Sequence, residues 1–191
     1  MEIKLSEPRF KGTRSLEECI LERKSVRSFE DRDLEKEKIS QILWAGQGQT
    51  NGKKTVPSAG ATYPLELYAV LKRKGVFHYQ PEKNILECVR EGDFGRELAE
   101  ASLYQMFIHQ ASLNVIICAD FERTCQHYGR RGERYVYIEI GHCAQNIHLE
   151  AVALGLASVP VGAFYDEEVK RILNLPQNID PVYIIPVGYK K

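Results

Sequence analysis

Four short segments, far apart in the chain, carry the residue types most able to do chemistry. The first is Arg23-Lys24-Ser25-Val26-Arg27, with three cations, a hydroxyl and free backbone amides in five residues. A guanidinium offers a planar fork that matches phosphate oxygens bidentately. The same run also suits a solvated helix end, where the dipole favours cations. The second, Pro57-Ser58-Ala59-Gly60-Ala61, precedes Tyr63-Pro64. Its small residues let backbone approach a flat ligand, although alone it reads as a turn ahead of a strand. The third, Val159-Pro160-Val161-Gly162-Ala163-Phe164, places a glycine amide between a strand and a helix, where it can donate to a ring nitrogen or simply connect the two. The fourth, Pro186-Val187-Gly188-Tyr189-Lys190-Lys191, puts lysines at a strand end, to meet a phosphate or to solubilise a tail.

These segments need a framework. The chain has 191 residues and 43% apolar content, enough for one domain, 1–191, with a true core. Lysine plus arginine equals aspartate plus glutamate at 26 each, which argues against a nucleic-acid or membrane-surface partner. Cys19, Cys88, Cys118, Cys125 and Cys143 are odd in number and lack a Cys-x-x-Cys pair, so reduced thiols in a cytoplasmic protein are expected. Met1 to Thr13 holds no apolar run of signal-peptide length, and no stretch reaches the roughly 18 apolar residues of a membrane span.

Ser15-Leu16-Glu17-Glu18 predicts a capping box and a helix to about Arg23. Asp33 is a second N-cap candidate, for an amphipathic helix through Leu34, Ile39, Ile42 and Leu43 that stops near Gly46 and Gly48. Gly46 to Ala61 reads as a loop of functional length. Strands are expected at Leu65–Leu71, Val76–Tyr79 and Ile85–Val89, and a helix capped by Asp93 runs through Leu98, Leu103 and Phe107. Asn114–Ala119 is a continuous apolar run, typical of a strand covered on both faces. A short helix over Phe121–Tyr128 precedes a long one, Glu133–Leu154, apolar on most sides and ended by Gly155. Ser158–Ala163 is a strand edge leading into a loop, Asp166 caps a helix through Leu173, and Val182–Val187 is a final strand. The fold class is therefore α+β or α/β.

From about Ser15 to Lys190 the four segments, in this order and spacing, resemble the nitroreductase family, and most closely its SagB-type dehydrogenase branch. The likeness is carried by Arg23-Lys24-Ser25-x-Arg27, by Pro57 to Tyr68, and by Tyr128-Gly-Arg-Arg-Gly-Glu-Arg-Tyr135. Ile140 to Asn146, Ala153 to Leu156 and Val161 to Phe164 extend it. The resemblance implies an α+β nitroreductase-like fold, with a central, mostly antiparallel sheet flanked by helices, in an intertwined homodimer.

It also implies FMN as cofactor, with roles for particular residues. Arg23, Lys24 and Ser25 would hold the phosphate and ribityl chain, and Lys190 would add a phosphate contact. Arg27 would sit near flavin N1 and the C2 carbonyl, where a fixed cation offsets charge left by reduction and raises the potential. The Gly162 amide, or less readily that of Ala163, would donate to N5, with Val161 beside it. Gln105 falls where the family often has an amide against the flavin. Pro57, Ser58, Ala59 and Gly60 would come from the other subunit, with the long helix at the dimer centre. Electrons would pass from NAD(P)H through N5 to a small organic acceptor by a ping-pong route, with no obligatory side-chain acid. Tyr104, Phe107, Tyr128, Arg131, Tyr135 and Phe164 are candidates for lining the cavity above the ring. The branch's azoline-oxidising members use a Lys-Tyr pair; here the nearest match is His127-Tyr128, which speaks against that reaction.

Rival readings fit less well. Gly46-Gln47-Gly48 follows a helix and has Asn51 where a dinucleotide fingerprint needs a third glycine. Glu139-x-x-His142 has the spacing of a di-iron ligand pair, but only one such motif occurs. Cys125 and His127 diverge on a helix. Two alternatives share the cradle: a non-catalytic flavin sensor or carrier, and a SagB-like dehydrogenase acting on a peptide-derived substrate.

Overall fold

The computed structural model describes residues 1–191. The chain opens with an edge strand, β1 (Glu2–Lys4), which carries no apolar signal in sequence and forms by pairing with a strand eighty residues on. The capping box then starts α1 (Leu16–Glu22): Glu18 N–H donates to Ser15 Oγ at 3.1 Å, and Ser15 N–H donates to Glu18 Oε2 at 2.7 Å. Helix α2 (Lys36–Gln47) begins later than Asp33 suggested, with Glu35 in the N-cap position and no side-chain cap. Leu34 is instead buried ahead of the helix, and Asp33 lies 3.8 Å from Lys74. Gly48 caps the C-terminal end of α2, and glycine is required there because a Cβ would stand 2.2 Å from the Trp44 ring.

The segment expected as plain loop contains a hairpin, β2 (Gln49–Thr50) and β3 (Lys53–Lys54), turned by Asn51 and Gly52 at φ 53° and 77°. A 3-10 turn (Ala59–Ala61) follows. Strands β4 (Leu65–Leu71), β5 (Gly75–Gln80) and β6 (Ile85–Glu91) form a meander. The helix expected to run from Asp93 through Phe107 is two pieces, α3 (Gly95–Ala101) and α4 (Phe107–Gln110). They are separated where Leu103 and Tyr104 take positive φ, 56° and 59°. Then come β7 (Leu113–Ala119), α5 (Phe121–Tyr128), α6 (Arg131–Ala153), β8 (Ala157–Ser158), α7 (Asp166–Leu173) and β9 (Asp180–Gly188).

Seven strands make one sheet in the order β1-β6-β5-β4-β7-β9-β8, every neighbouring pair antiparallel. Ile116 of β7 stands opposite Tyr68 on β4 and Ile184 on β9. One face of the sheet (Leu67, Ala69, Val115, Ile117, Ile185) packs against Leu43 of α2 and Ile140 and Ile147 of α6. The other face (Tyr68, Val70, Ile116, Ile184) packs against Leu98 of α3 and Ile172 of α7. Helices therefore cover both faces, which is why an antiparallel strand such as β7 is buried throughout and apolar at every position but Asn114.

Helix α6 spans the molecule. Its stripe of Val136, Ile140, Cys143, Ile147 and Ala151 is buried, and Gly155 follows at φ 71° as expected. Its opposite side is less uniformly apolar than the sequence suggested: Arg134, Ile138, Gly141, His142 and Gln145 are exposed.

Candidate functional site

The site grows from the segment after α1. Arg23 stands at the C-cap of α1, and the chain then runs extended toward β8. Val26 N–H donates to Ser158 O at 3.1 Å, and Ser25 forms a parallel bridge with Ser158. Three residues on, Phe29 bridges Lys190, and Lys191 N–H donates to Ser28 O at 3.2 Å. Phe29 is anchored in a small apolar cluster with Ala111, Ala157 and Val159. The first and fourth sequence segments are thus stitched together through β8 and the end of β9. Lys24 and Lys190 line one cavity of about 200 Å³, with Val26, Gly155 and Ser158. Arg14 and Glu22 on its rim form an ion pair with each other. Neither Lys24 nor Lys190 has an ion-pair partner, nor do Arg23 and Arg27. Lys24 and Lys190, facing one cavity without an ion-pair partner, suit an anionic ligand; Arg23 and Arg27 flank Lys24 on the same segment but do not line that cavity.

The third segment continues from this point. Val159 and Val161 keep pairing with β9, through Pro186 O and Ile184 O. Gly162 comes next, exposed, its N–H donating to no protein acceptor. The four extended residues from Ser158 to Gly162 span about 13 Å. That separation suits a nucleotide whose ring and phosphate are held apart by a ribityl chain, so the residues present fit FMN. Gln105 lies beside this segment: its Nε2 donates to Ser102 O at 2.9 Å and to Ala163 O at 3.2 Å. Its amide nitrogen is therefore spent on fixing the backbone next to Gly162.

The second segment sits elsewhere. Ser58 Oγ accepts from Tyr63 N–H at 2.9 Å, and Ala59 O accepts from the Thr62 hydroxyl at 3.0 Å. Thr62 meets Thr124 of α5 at 2.8 Å, so the turn is fastened to α5. Below it lies Glu139 of α6. Burial raises the Glu139 pKa, against the opposing pull of Ser58, Gln47 and Lys54. Glu139 and His148, which neighbours Ser158, are nine residues apart, about 14 Å along the helix. Within one chain, Pro57–Gly60 and the cluster of Lys24, Ser158 and Lys190 therefore belong to opposite parts of α6.

Two buried polar residues were not singled out as site residues by sequence. His148 is 5% exposed, its Nδ1 sits 2.8 Å from Ser158 Oγ, and its Nε2 has no partner. Burial, with a contribution from the Arg23 charge, lowers its pKa to about 4. A lone histidine on an apolar helix carries no signal in sequence; only the sheet brings Ser158 to it. Glu139 was considered as half of a Glu-x-x-His pair, but it is buried while His142 is exposed, so the two side chains diverge. The five cysteines are all free thiols. Burial and the nearby carboxylate of Glu133 raise the pKa of Cys125.

Comparison with known proteins bears on this geometry. A family model described as the nitroreductase family matches residues 20–189. A protein of Methanocaldococcus jannaschii, named provisionally as a nitroreductase, is 46% identical over 182 residues, covering 92% of this chain and 91% of its own. The FMN reductase (NADPH) of Bacillus subtilis is 24% identical over 186 residues, covering 90% of this chain and 64% of its own. Among solved structures, a protein of Ralstonia eutropha provisionally named a nitroreductase superposes with a TM-score of 0.90 at 26% identity. The match covers 100% of this chain and 90% of that one. No helix is long and apolar enough to cross a membrane.

Proposed function

Because the chain belongs to the nitroreductase family, we propose that it binds one FMN per site between two copies of itself. In this reading it moves electrons from NAD(P)H to a small organic acceptor in the cytoplasm. The observation that carries the reading is the meeting of Lys24 and Lys190, both without an ion-pair partner, in one cavity beside Ser158, about 13 Å of extended chain from the free Gly162 N–H, with Arg23 and Arg27 on the same segment as Lys24. The name of the Bacillus relative, an FMN reductase, supports the same cofactor.

When bound, FMN supplies the redox chemistry, taking two electrons from the donor and passing them on. The chain's residues bind and orient. Arg23, Lys24, Ser25 and Lys190 hold the phosphate and ribityl end. Arg27 presents a cation to N1 and the C2 carbonyl, where a fixed charge tunes the potential. The Gly162 amide, flanked by Val161 and Ala163, donates at N5, and Gln105 holds that segment still. Pro57, Ser58, Ala59 and Gly60 reach the site from the second copy, because their own chain holds them apart from its Lys24 and Lys190.

The dimer reading is also supported by what α6 and α1 leave uncovered. Leu16, Ile20 and Leu21 of α1 are 59%, 56% and 86% exposed, and Tyr137 and Ile138 of α6 are 57% and 49% exposed. Apolar exposure of this kind marks an interface. Gly141, on the same side of α6 as Ile138, has open space where a side chain would be, which lets a second helix approach closely.

The test is spectroscopic. Purified protein reconstituted with FMN is mixed anaerobically with NADH or NADPH, and the 450 nm band is followed. Bleaching with either donor, reversed by a quinone or nitro compound, is the expected result. A yellow protein that neither donor bleaches would point to a sensor or carrier. A protein that takes up no FMN would overturn the reading altogether.

A further inference from the structure

His148 of α6 and Ser158 of β8 make a polar pair inside the protein, 5% and 4% exposed, with His148 Nδ1 2.8 Å from Ser158 Oγ. The pair is incomplete on both sides. His148 Nε2 is buried and unpaired, and the Ser158 hydroxyl has no hydrogen bond other than the one to the ring. The Ser158 main chain, by contrast, is fully used. Its carbonyl accepts from Val26 N–H, and the residue stands opposite Val187 of β9. Ser158 thus holds the Arg23–Arg27 segment through its backbone and is itself held from α6 through its side chain.

The unpaired nitrogen decides where the ring proton sits. Burial, with the Arg23 charge, keeps His148 neutral near pH 7. One ring nitrogen then carries a hydrogen and the other a lone pair, and the partner of one fixes the other. A hydrogen on Nε2 would be a buried donor with nothing to receive it, and buried donors are almost always paired. The hydrogen therefore belongs on Nδ1, donated to Ser158 Oγ. Ser158 keeps its own hydroxyl hydrogen, which has no acceptor in the chain.

That hydrogen has a place to be used. Ser158 lines the cavity of about 200 Å³ that Lys24 and Lys190 also line. The one carboxylate on its wall, Glu22, is occupied by Arg14. A lysine ammonium is a point charge on a flexible stem, which attracts an anion and sets little direction. A hydroxyl gripped from behind by a buried ring supplies the direction. The other tautomer would take the hydroxyl hydrogen for the ring and turn serine lone pairs toward the anion.

We propose that His148 is a positioning residue, whose Nδ1–H fixes the Ser158 hydroxyl as a hydrogen-bond donor to the phosphate held between Lys24 and Lys190. This rests on the flavin reading above, which places a phosphate monoester in that cavity. His148 acts through Ser158 alone, and no covalent step is involved.

The experiment compares FMN with riboflavin, which lacks only the phosphate. Fluorescence titration gives both Kd values for wild type, His148→Leu, His148→Asn, Ser158→Ala and the His148→Leu/Ser158→Ala double variant. The FMN Kd should weaken about tenfold or more in His148→Leu and in Ser158→Ala, while the riboflavin Kd stays put. His148→Asn, whose amide nitrogen takes the place of Nδ1, should restore most of the loss. The double variant should be no worse than either single one. Equal losses for FMN and riboflavin would mean that the pair only joins α6 to β8. That result, unchanged FMN affinity, or additive losses would each overturn the assignment. Thermal melts check the fold, and Ser158→Ala carries the test should His148→Leu not fold. A second arm needs no flavin. Nitrogen NMR of ¹⁵N-histidine protein should show His148 protonated at Nδ1 and bare at Nε2. Inorganic phosphate should shift its signals in wild type and leave them in place in Ser158→Ala. The opposite tautomer, or signals indifferent to phosphate, would also overturn the assignment. A wild type that takes up no FMN would defeat the flavin reading, while this arm still decides whether His148 and Ser158 serve a phosphate.

Discussion

Gly60 lies directly beneath the Tyr128 hydroxyl: a Cβ on Gly60 would stand 2.7 Å from that oxygen, and its φ of 59° is left-handed. Gly60→Ala should therefore lower stability by about 1–2 kcal/mol from backbone strain, with a further cost from contact with Tyr128. Tyr128→Phe removes the offending oxygen, so the double variant should be more stable than the sum of the single changes predicts. Urea unfolding of the four proteins checks this; strict additivity would mean that Tyr128 yields freely.

Arg23→Ala should weaken FMN binding by about 1.5–3 kcal/mol, the range for a charge-assisted hydrogen bond. Arg27→Ala should instead lower the flavin potential more than it lowers affinity. Fluorescence titration and a redox titration separate the two. Unchanged affinity removes Arg23 from the phosphate, and an unshifted potential removes Arg27 from N1.

His148 makes stability depend on pH. Its folded pKa, lowered to about 4, lies below the ordinary histidine value near 6.5. The unfolded state therefore binds the proton more readily, and folding opposes protonation. The stability is whole above pH 6.5 and is lost as pH falls toward 4. The melting temperature of apoprotein should drop across that window, and His148→Gln should flatten the drop. An identical pH profile in the variant would show that other groups govern it.

Gly141 separates the dimer from the monomer. In an isolated chain nothing lies within 4 Å of its missing side chain, so Gly141→Leu should raise helix stability by up to about 1 kcal/mol. If a second α6 packs there, the same change should split the dimer and lower FMN uptake. Sedimentation of holoprotein reads the outcome; an intact dimer with full flavin would move the interface elsewhere.

How far the sequence reveals the molecule depends on the range of the forces involved. The Ser15 capping box, the Leu65–Leu71 strand and the Phe121–Tyr128 helix were readable because local periodicity and capping decide them. The Asn51-Gly52 hairpin was also a local signal, but its strands of two residues gave no alternation to flag it. Strand β1 could not be read at all, since only β6 defines it. The break at Leu103 and Tyr104 arises in residues that favour helix, which tertiary packing overrides. In the site, the cationic run at Arg23–Arg27 was legible from composition. Its attachment to Ser158 and Lys190, the unpartnered Nε2 of His148, and the spending of the Gln105 amide on Ala163 are products of the sheet and have no local trace.

The bridges from Ser25 to Ser158 and from Phe29 to Lys190 also set a schedule for synthesis. The cationic run Arg23–Arg27 leaves the ribosome early, yet the residues that bridge to it, Ser158 and Lys190, are made much later. On the flavin reading proposed above, a nascent chain holding only the early run would present loose cations, and a cradle for FMN would form only once the later strands had folded back onto it.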